Sequence, residues 1–204
     1  MTRKKKTGKA RIVATAGLPT RFGRFQVIGI KGRGPQDEAV AIQHGRLKRG
    51  RPPLVRIHSQ CLTGDVFTSQ RCDCRAQLEL SLRKIAKAPF GIVLYLPQEG
   101  RGIGLINKLK AYELQDQGLD TVEANRRLGF AADSRDYDFA AAALKALDVH
   151  SVRLLSNNPD KIQQLERSGI RVVERIPCRP RTNHHSRAYL RTKQTKMGHL
   201  LANL

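Results

Sequence analysis

The sequence predicts an α/β domain in which one mixed sheet is flanked by helices, and three observations carry that prediction. Strand-like and helix-like stretches alternate along most of the chain, the pattern of helices laid on a sheet. The run Phe90-Gly91-Ile92-Val93-Leu94-Tyr95-Leu96 is continuously apolar, as a strand covered on both faces must be. Asn157-Asn158-Pro159 joins a strand to a helix with a capping side chain and Pro at the first helical position.

The elements follow in order. Residues 1–12 are basic and polar and are expected to form a loose tail ahead of a catalytic domain over 13–204. Gly23–Ile30 has a partly alternating pattern and reads as a strand. Ala39–Ile42 reads as the next, with the glycine-rich Lys31–Gly34 as the turn between them. After a basic loop over Arg46–Pro53, Leu54–His58 is a third strand that runs into a cysteine-rich stretch. Beyond Cys74, residues Leu78, Leu82, Ile85 and Ala86 share one helical face until Pro89 stops the helix. The apolar strand comes next, and Gly100–Gly104 then turns into a helix carrying Leu105, Leu109, Tyr112 and Glu113. An alanine-rich helix over Asp138–Leu147, a strand at Val152–Leu155, a helix over Pro159–Arg167 and a strand at Ile170–Val173 complete the alternation. Arg187–Leu201 reads as a terminal helix. No internal repeat or linker divides the chain, so one domain is expected.

Composition narrows the function. The chain has 204 residues, 40% hydrophobic and 27% charged, enough to bury a core in an ordinary globular protein. No apolar run is long enough to span a bilayer, and no apolar stretch follows the basic start, so a cytoplasmic protein with no membrane partner is expected. The formal charge of +21, from 38 Lys and Arg against 17 Asp and Glu, attracts polyanions. The basic residues are dispersed, at Lys4–Lys6, Arg46–Arg51, Arg126-Arg127 and Arg179–Arg191, as on a solvated surface. Aromatics are only 5% and Trp is absent, so platforms for stacking nucleic-acid bases are poorly supplied. A nucleoside triphosphate is the smaller polyanion that the charge also suits.

Three of the four cysteines, Cys61, Cys72 and Cys74, fall within fourteen residues. A disulfide framework does not suit a chain of this length without a secretion signal, whereas thiolates are soft ligands that suit zinc. Three protein ligands are the count of a catalytic zinc site, whose open position holds water with a pKa near 7. A fourth ligand from His58 or Cys178 would make the site structural instead, and three buried free thiols are the plainer alternative. His58, Asp65, Arg71 and Asp73 crowd the same stretch, which is unusual for a plain core.

At these residues the chain resembles GTP cyclohydrolase II of riboflavin biosynthesis. The resemblance runs through Arg56-Ile57-His58-Ser59-Gln60-Cys61-Leu62-Thr63-Gly64-Asp65 and Arg71-Cys72-Asp73-Cys74. It continues through Gln98–Leu105, Thr121–Asn125, Leu128–Asp136, Asn157-Asn158-Pro159 and Lys196-Met197-Gly198-His199, spanning roughly residues 17–203. The resemblance implies one zinc per subunit on Cys61, Cys72 and Cys74, and magnesium at the phosphates of GTP. It implies release of C8 as formate and of the outer phosphates as pyrophosphate, leaving a 2,5-diamino-6-ribosylamino-pyrimidinone 5'-phosphate. Asp133 is then the general base, Arg135 the nucleophile at the α-phosphate, and Tyr112 the tyrosine tied to completing ring opening. Nucleotide contacts are implied for Arg56, Ile57, His58, Ser59, Gln60, Gln77, Glu99, Gly100, Arg101, Thr121, Ser156 and Lys161. A homodimer is implied as well.

The residues themselves admit other roles. A guanidinium stays protonated, so Arg135 also fits a stabiliser of charge on the phosphate. Asp133 fits a helix cap or an arginine partner, and Tyr112 fits a core aromatic on its apolar-periodic helix. The chain departs from the family's usual Glu at Gln60, Gly at Arg75 and Thr at Ser156. Arg75 sets a cation beside the metal, and would be strained if that position needs a positive φ. A family variant with partial chemistry or another purine nucleotide is thus one alternative. A nucleic-acid-binding protein with structural zinc is another.

Overall fold

The computed structural model describes residues 9–180 except 36 and 49, and residues 191, 192, 194, 195, 198 and 200. Seven strands form one sheet: β1 (Arg11–Thr20), β2 (Gly23–Lys31), β3 (Glu38–Gly45), β4 (Leu54–Ser59), β5 (Phe90–Leu96), β6 (Ser151–Leu155) and β7 (Arg171–Ile176). Among the residues described up to 180, six α-helices accompany them: α1 (Leu62–Asp65), α2 (Cys74–Ala86), α3 (Leu105–Asp116), α4 (Thr121–Arg127), α5 (Asp138–Ala146) and α6 (Pro159–Arg167). The strand order is β1-β2-β3-β5-β4-β6-β7. β1, β2, β3 and β5 pair antiparallel, while β5, β4, β6 and β7 pair parallel. The expected mixed sheet is therefore present. Short turns join β1, β2 and β3, while the connections from β4 to β5, β5 to β6 and β6 to β7 carry the helices.

Side-chain alternation explains how the sheet is covered. Along β4 and β5, Val55, Ile57, Ile92 and Leu94 enter one core with Ala140, Ala141 and Leu144 of α5 and Leu165 of α6. Leu54 and Val93 point the other way and join Phe25, Leu155 and the α2 residues Leu82 and Ile85. The central strand β5 is apolar throughout because both of its faces are buried. Asn158 caps α6 by accepting from Asp160 N, with Pro159 at the first helical position as anticipated.

Three elements were not foreseen. β1 lies at the sheet edge with mostly exposed side chains and small residues Ala14, Ala16 and Gly17, so it carries no apolar period. It begins at Arg11, so residues 11 and 12 belong to the sheet; residues 1–8 lie outside the described set. α1 is only four residues long, below the reach of a periodicity argument. α4 did announce itself: Asp120 accepts from Val122 N and Glu123 N, and the Glu123 carboxylate returns to Asp120 N, a capping box legible in the sequence. Of the terminal helix expected over 187–201, residues 191, 192, 194, 195, 198 and 200 are described; the first four are helical, whereas Gly198, at a φ of 63°, and Leu200 are not, so the helix does not run as far as expected. Of the motif at 196–199 only Gly198 is described. Among the described residues no helix is long and apolar enough to cross a membrane.

Candidate active site

The parallel strands β4, β5 and β6 deliver three loops to one edge of the sheet, the place where open α/β sheets hold their ligands. β4 runs into Gln60 and Cys61, β5 into Gln98 and Glu99, and β6 into Ser156 and Asn157. Two adjoining cavities open there, about 670 and 560 Å³ in volume, both lined by Ser59, Cys74, Arg101 and Arg135.

The first cavity holds the cysteine trio. Cys61 follows β4, and Cys72 and Cys74 come from the start of α2, yet all three sulfurs lie within 4.8 Å of one another. Cys61 Sγ and Cys72 Sγ are 3.7 Å apart. Zinc–sulfur bonds of about 2.3 Å at tetrahedral angles would place sulfurs about 3.8 Å apart, so the trio fits such an ion. Gly64 makes the approach possible, because a Cβ there would meet Cys72 Sγ at 2.9 Å and Cys61 Sγ at 3.2 Å. Gly64→Ala is expected to weaken metal binding by about tenfold or more, as misplaced ligands do; a competition titration with a chelator measures it. The cluster could bind a metal.

The protonation of the trio is uneven. Hydrogen bonds from Cys72 and Cys74, helped by the charge of Lys108, draw the Cys61 thiol far down against the opposing effect of burial. The hydrogen bond to Cys61 holds the proton on Cys72, pushing its pKa up to about 11, and Cys74 is pushed up well above a free thiol by its own hydrogen bonds to Cys61 and Cys72 and by burial.

A buried carboxylate anchors Cys61. Asp65 accepts from Cys61 N at 3.0 Å, from Tyr95 Oη at 2.9 Å and from His58 Nε2 at 3.1 Å. His58 is therefore turned toward Asp65 and is not part of the sulfur cluster, so the alternative of His58 as fourth ligand does not hold among the described residues. Burial lowers the His58 pKa despite Asp65. Cys178, the other candidate fourth ligand, is buried beside Ser81 at 3.9 Å. Thr63 Oγ1 lies 3.7 Å from Cys61 Sγ and 3.3 Å from Tyr112 Oη, which puts Tyr112 on the cavity wall and not in the core.

Glu99 and Gly100 bring a second strand end to the trio. Glu99 accepts from Leu62 N at 2.6 Å, from Gly100 N at 2.8 Å and from the buried Lys108 Nζ at 2.8 Å. Gly100 and Arg101 both adopt positive φ, 62° and 61°, a costly conformation for Arg that survives only where the surroundings impose it. Gln60, Thr121 and Asn125 complete the wall.

The second cavity is cationic. Arg56, Arg101, Arg135 and Lys161 line it together with His58, Gln77 and Ser156. Arg56 donates to Leu155 O at 3.0 Å and to Gln77, which in turn donates to Asp73. Lys161 donates to Ile57 O at 2.9 Å and is buried, which together with Arg56 and Arg135 holds its pKa well below that of a free lysine. An arriving anion would raise that pKa again. Asp133 stands behind Arg135, accepting from its N at 3.1 Å, its Nε at 2.8 Å and its second guanidinium nitrogen. Burial would raise the Asp133 pKa, but Arg135 outweighs it and holds it below the usual carboxylate range. Asp133 is thus an arginine partner; the residue preceding α5 is Tyr137.

Of the residues implied by resemblance, all but two line one or both cavities. Ile57 is wholly buried in the sheet core, and Asp133 acts through Arg135. Arg75 lies inside α2, pairs with Glu79 at 3.0 Å and has no positive φ, so the anticipated strain does not arise. Lys108 was overlooked, although its place one turn before Tyr112 on the same helix was a usable signal.

Comparison with known proteins agrees with this geometry. A family model described as GTP cyclohydrolase II matches residues 10–177. GTP cyclohydrolase-2 of Histophilus somni (strain 2336) is 50% identical over 195 residues, 96% of this chain and 90% of the relative. GTP cyclohydrolase-2 of Tolumonas auensis is 52% identical over 190 residues, 93% of this chain and 96% of the relative. The riboflavin biosynthesis protein RibBA of Bacillus mycoides is 52% identical over 184 residues, 90% of this chain and 46% of that longer protein.

Proposed function

Since the chain belongs to the GTP cyclohydrolase II family, we propose that it opens the guanine imidazole ring of GTP, releasing formate and pyrophosphate. The remaining product is 2,5-diamino-6-(5-phosphoribosylamino)pyrimidin-4(3H)-one, the entry compound of riboflavin biosynthesis. One observation carries this reading: the cavity that holds the three-sulfur cluster adjoins a cavity lined by Arg56, Arg101, Arg135 and Lys161, and Ser59, Cys74, Arg101 and Arg135 form the wall between them.

Cys61, Cys72 and Cys74 would hold one zinc, which when bound supplies Lewis acidity and lowers the pKa of water to about 7. The base is placed against Gln60, Glu99, Gly100 and Thr121, with Tyr112 Oη near the sulfurs to hold or pass a proton. The phosphates, with their magnesium, face Arg56, Arg101, Arg135, Ser156 and Lys161. Arg135 serves best as a stabiliser of developing charge. Moving a proton from a guanidinium, pKa above about 12, to an ordinary aspartate near 3.9 is uphill by about 8 units, or ~11 kcal/mol. Asp133 lies lower still, so the transfer is harder.

Gln60 lines the cavity beside Cys61, and a partial reaction remains distinguishable by product. Incubation of the zinc-loaded protein with GTP and magnesium is expected to release formate and pyrophosphate together. Pyrophosphate alone would identify the partial chemistry, and neither product would overturn the assignment. A homodimer in the cytoplasm completes the proposal, with sedimentation velocity as the check on the dimer.

A further inference from the structure

Lys108 has no task in the reaction as described. α3 aims it into the first cavity, where its side chain is 10% exposed. Its ammonium lies 2.8 Å from Glu99 Oε1 and 3.2 Å from Cys61 Sγ. Burying an ammonium is unfavourable unless it is paired, and Glu99 is already engaged by two backbone N–H groups. The bond to Cys61 is therefore the contact by which Lys108 reaches the metal site.

Three thiolates around a divalent ion leave a net negative charge on the sulfurs. A fixed cation at hydrogen-bond distance from one of them offsets that charge and withdraws electron density from the sulfur. The ion then remains a stronger Lewis acid than three unassisted thiolates would leave it. Thr63 Oγ1, 3.7 Å from the same sulfur, is neutral and cannot supply this effect.

We infer that Lys108 is a positioning residue for the metal centre: held by Glu99, it donates to the Cys61 thiolate, balances its charge and tunes the ion bound there. The inference rests on the reading that the three cysteines share one divalent ion, and the experiment separates the two.

Cobalt(II) is the probe, because its sulfur-to-metal charge-transfer absorption reports electron density on the thiolates. Lys108→Gln and Lys108→Met are expected to bind cobalt on the order of 10- to 100-fold more weakly than the unmodified chain in competition with a chelator. Their charge-transfer band should move to longer wavelength. Lys108→Arg, which keeps the charge, should return the band toward its original position. A merely structural lysine would leave the band in place, so unchanged band positions in both neutral variants overturn the inference. Failure of both neutral variants to fold with cobalt in excess would assign Lys108 to the fold and overturn it too. Should the unmodified chain show no thiolate-to-cobalt absorption, the metal reading itself falls, and this inference with it.

Discussion

Cys72→Ser is expected to strip the metal and lower formate release by at least about 10³-fold, because water no longer has a Lewis acid to bring its pKa from 15.7 toward 7. Serine keeps the volume but replaces a soft thiolate with a hydroxyl that stays protonated near neutral pH and binds zinc poorly. The two sulfurs left behind, Cys61 and Cys74, cannot make the three-ligand set. The fold should survive, since Cys72 is only partly buried and belongs to neither hydrophobic core. Metal analysis, formate assay and circular dichroism on one preparation check the three parts. Full zinc content with full activity would show that this thiolate is not a ligand.

Arg135→Ala should cost about 10²- to 10³-fold in pyrophosphate release, the loss that follows removal of one preorganised charge stabiliser. Arg135 borders both cavities and is clamped by Asp133 through side chain and backbone. That clamp fixes the guanidinium before substrate arrives, so little reorganisation accompanies reaction. Arg135→Lys separates charge from covalent chemistry. An ammonium keeps the charge but loses the planar fork that Asp133 grips, so it should retain about tenfold more activity than Arg135→Ala. Equal loss in the two variants would argue for a role that only a guanidine can fill.

Particular elements show what could be read from the chain. β5 was legible because burial on both faces removes every polar residue from a strand, and α6 because Asn158 and Pro159 mark its start locally. The sulfur cluster was legible because three cysteines so close together in a chain without a disulfide framework are uncommon. β1 was not, since an edge strand exposed on both sides has no face to keep apolar. Tyr112 was ambiguous for the opposite reason: a helical face lining a cavity and one lining a core share the same period. Lys108 was invisible as a partner of Cys61, from which forty-seven residues separate it.

The chain by itself determined the alternation of strands and helices from β2 onward apart from α1 and α4, the clustering of soft sulfur donors and the excess of cations, because each is a property of neighbours in sequence. Tertiary structure alone decided which loops share an edge of the sheet, that His58 turns to Asp65 and away from the sulfurs, and that Arg56, Arg101, Arg135 and Lys161 face one cavity. Local periodicity specifies which face a residue occupies. Strand order and crossovers specify what that face meets, and the strength of an electrostatic contact depends on that distance.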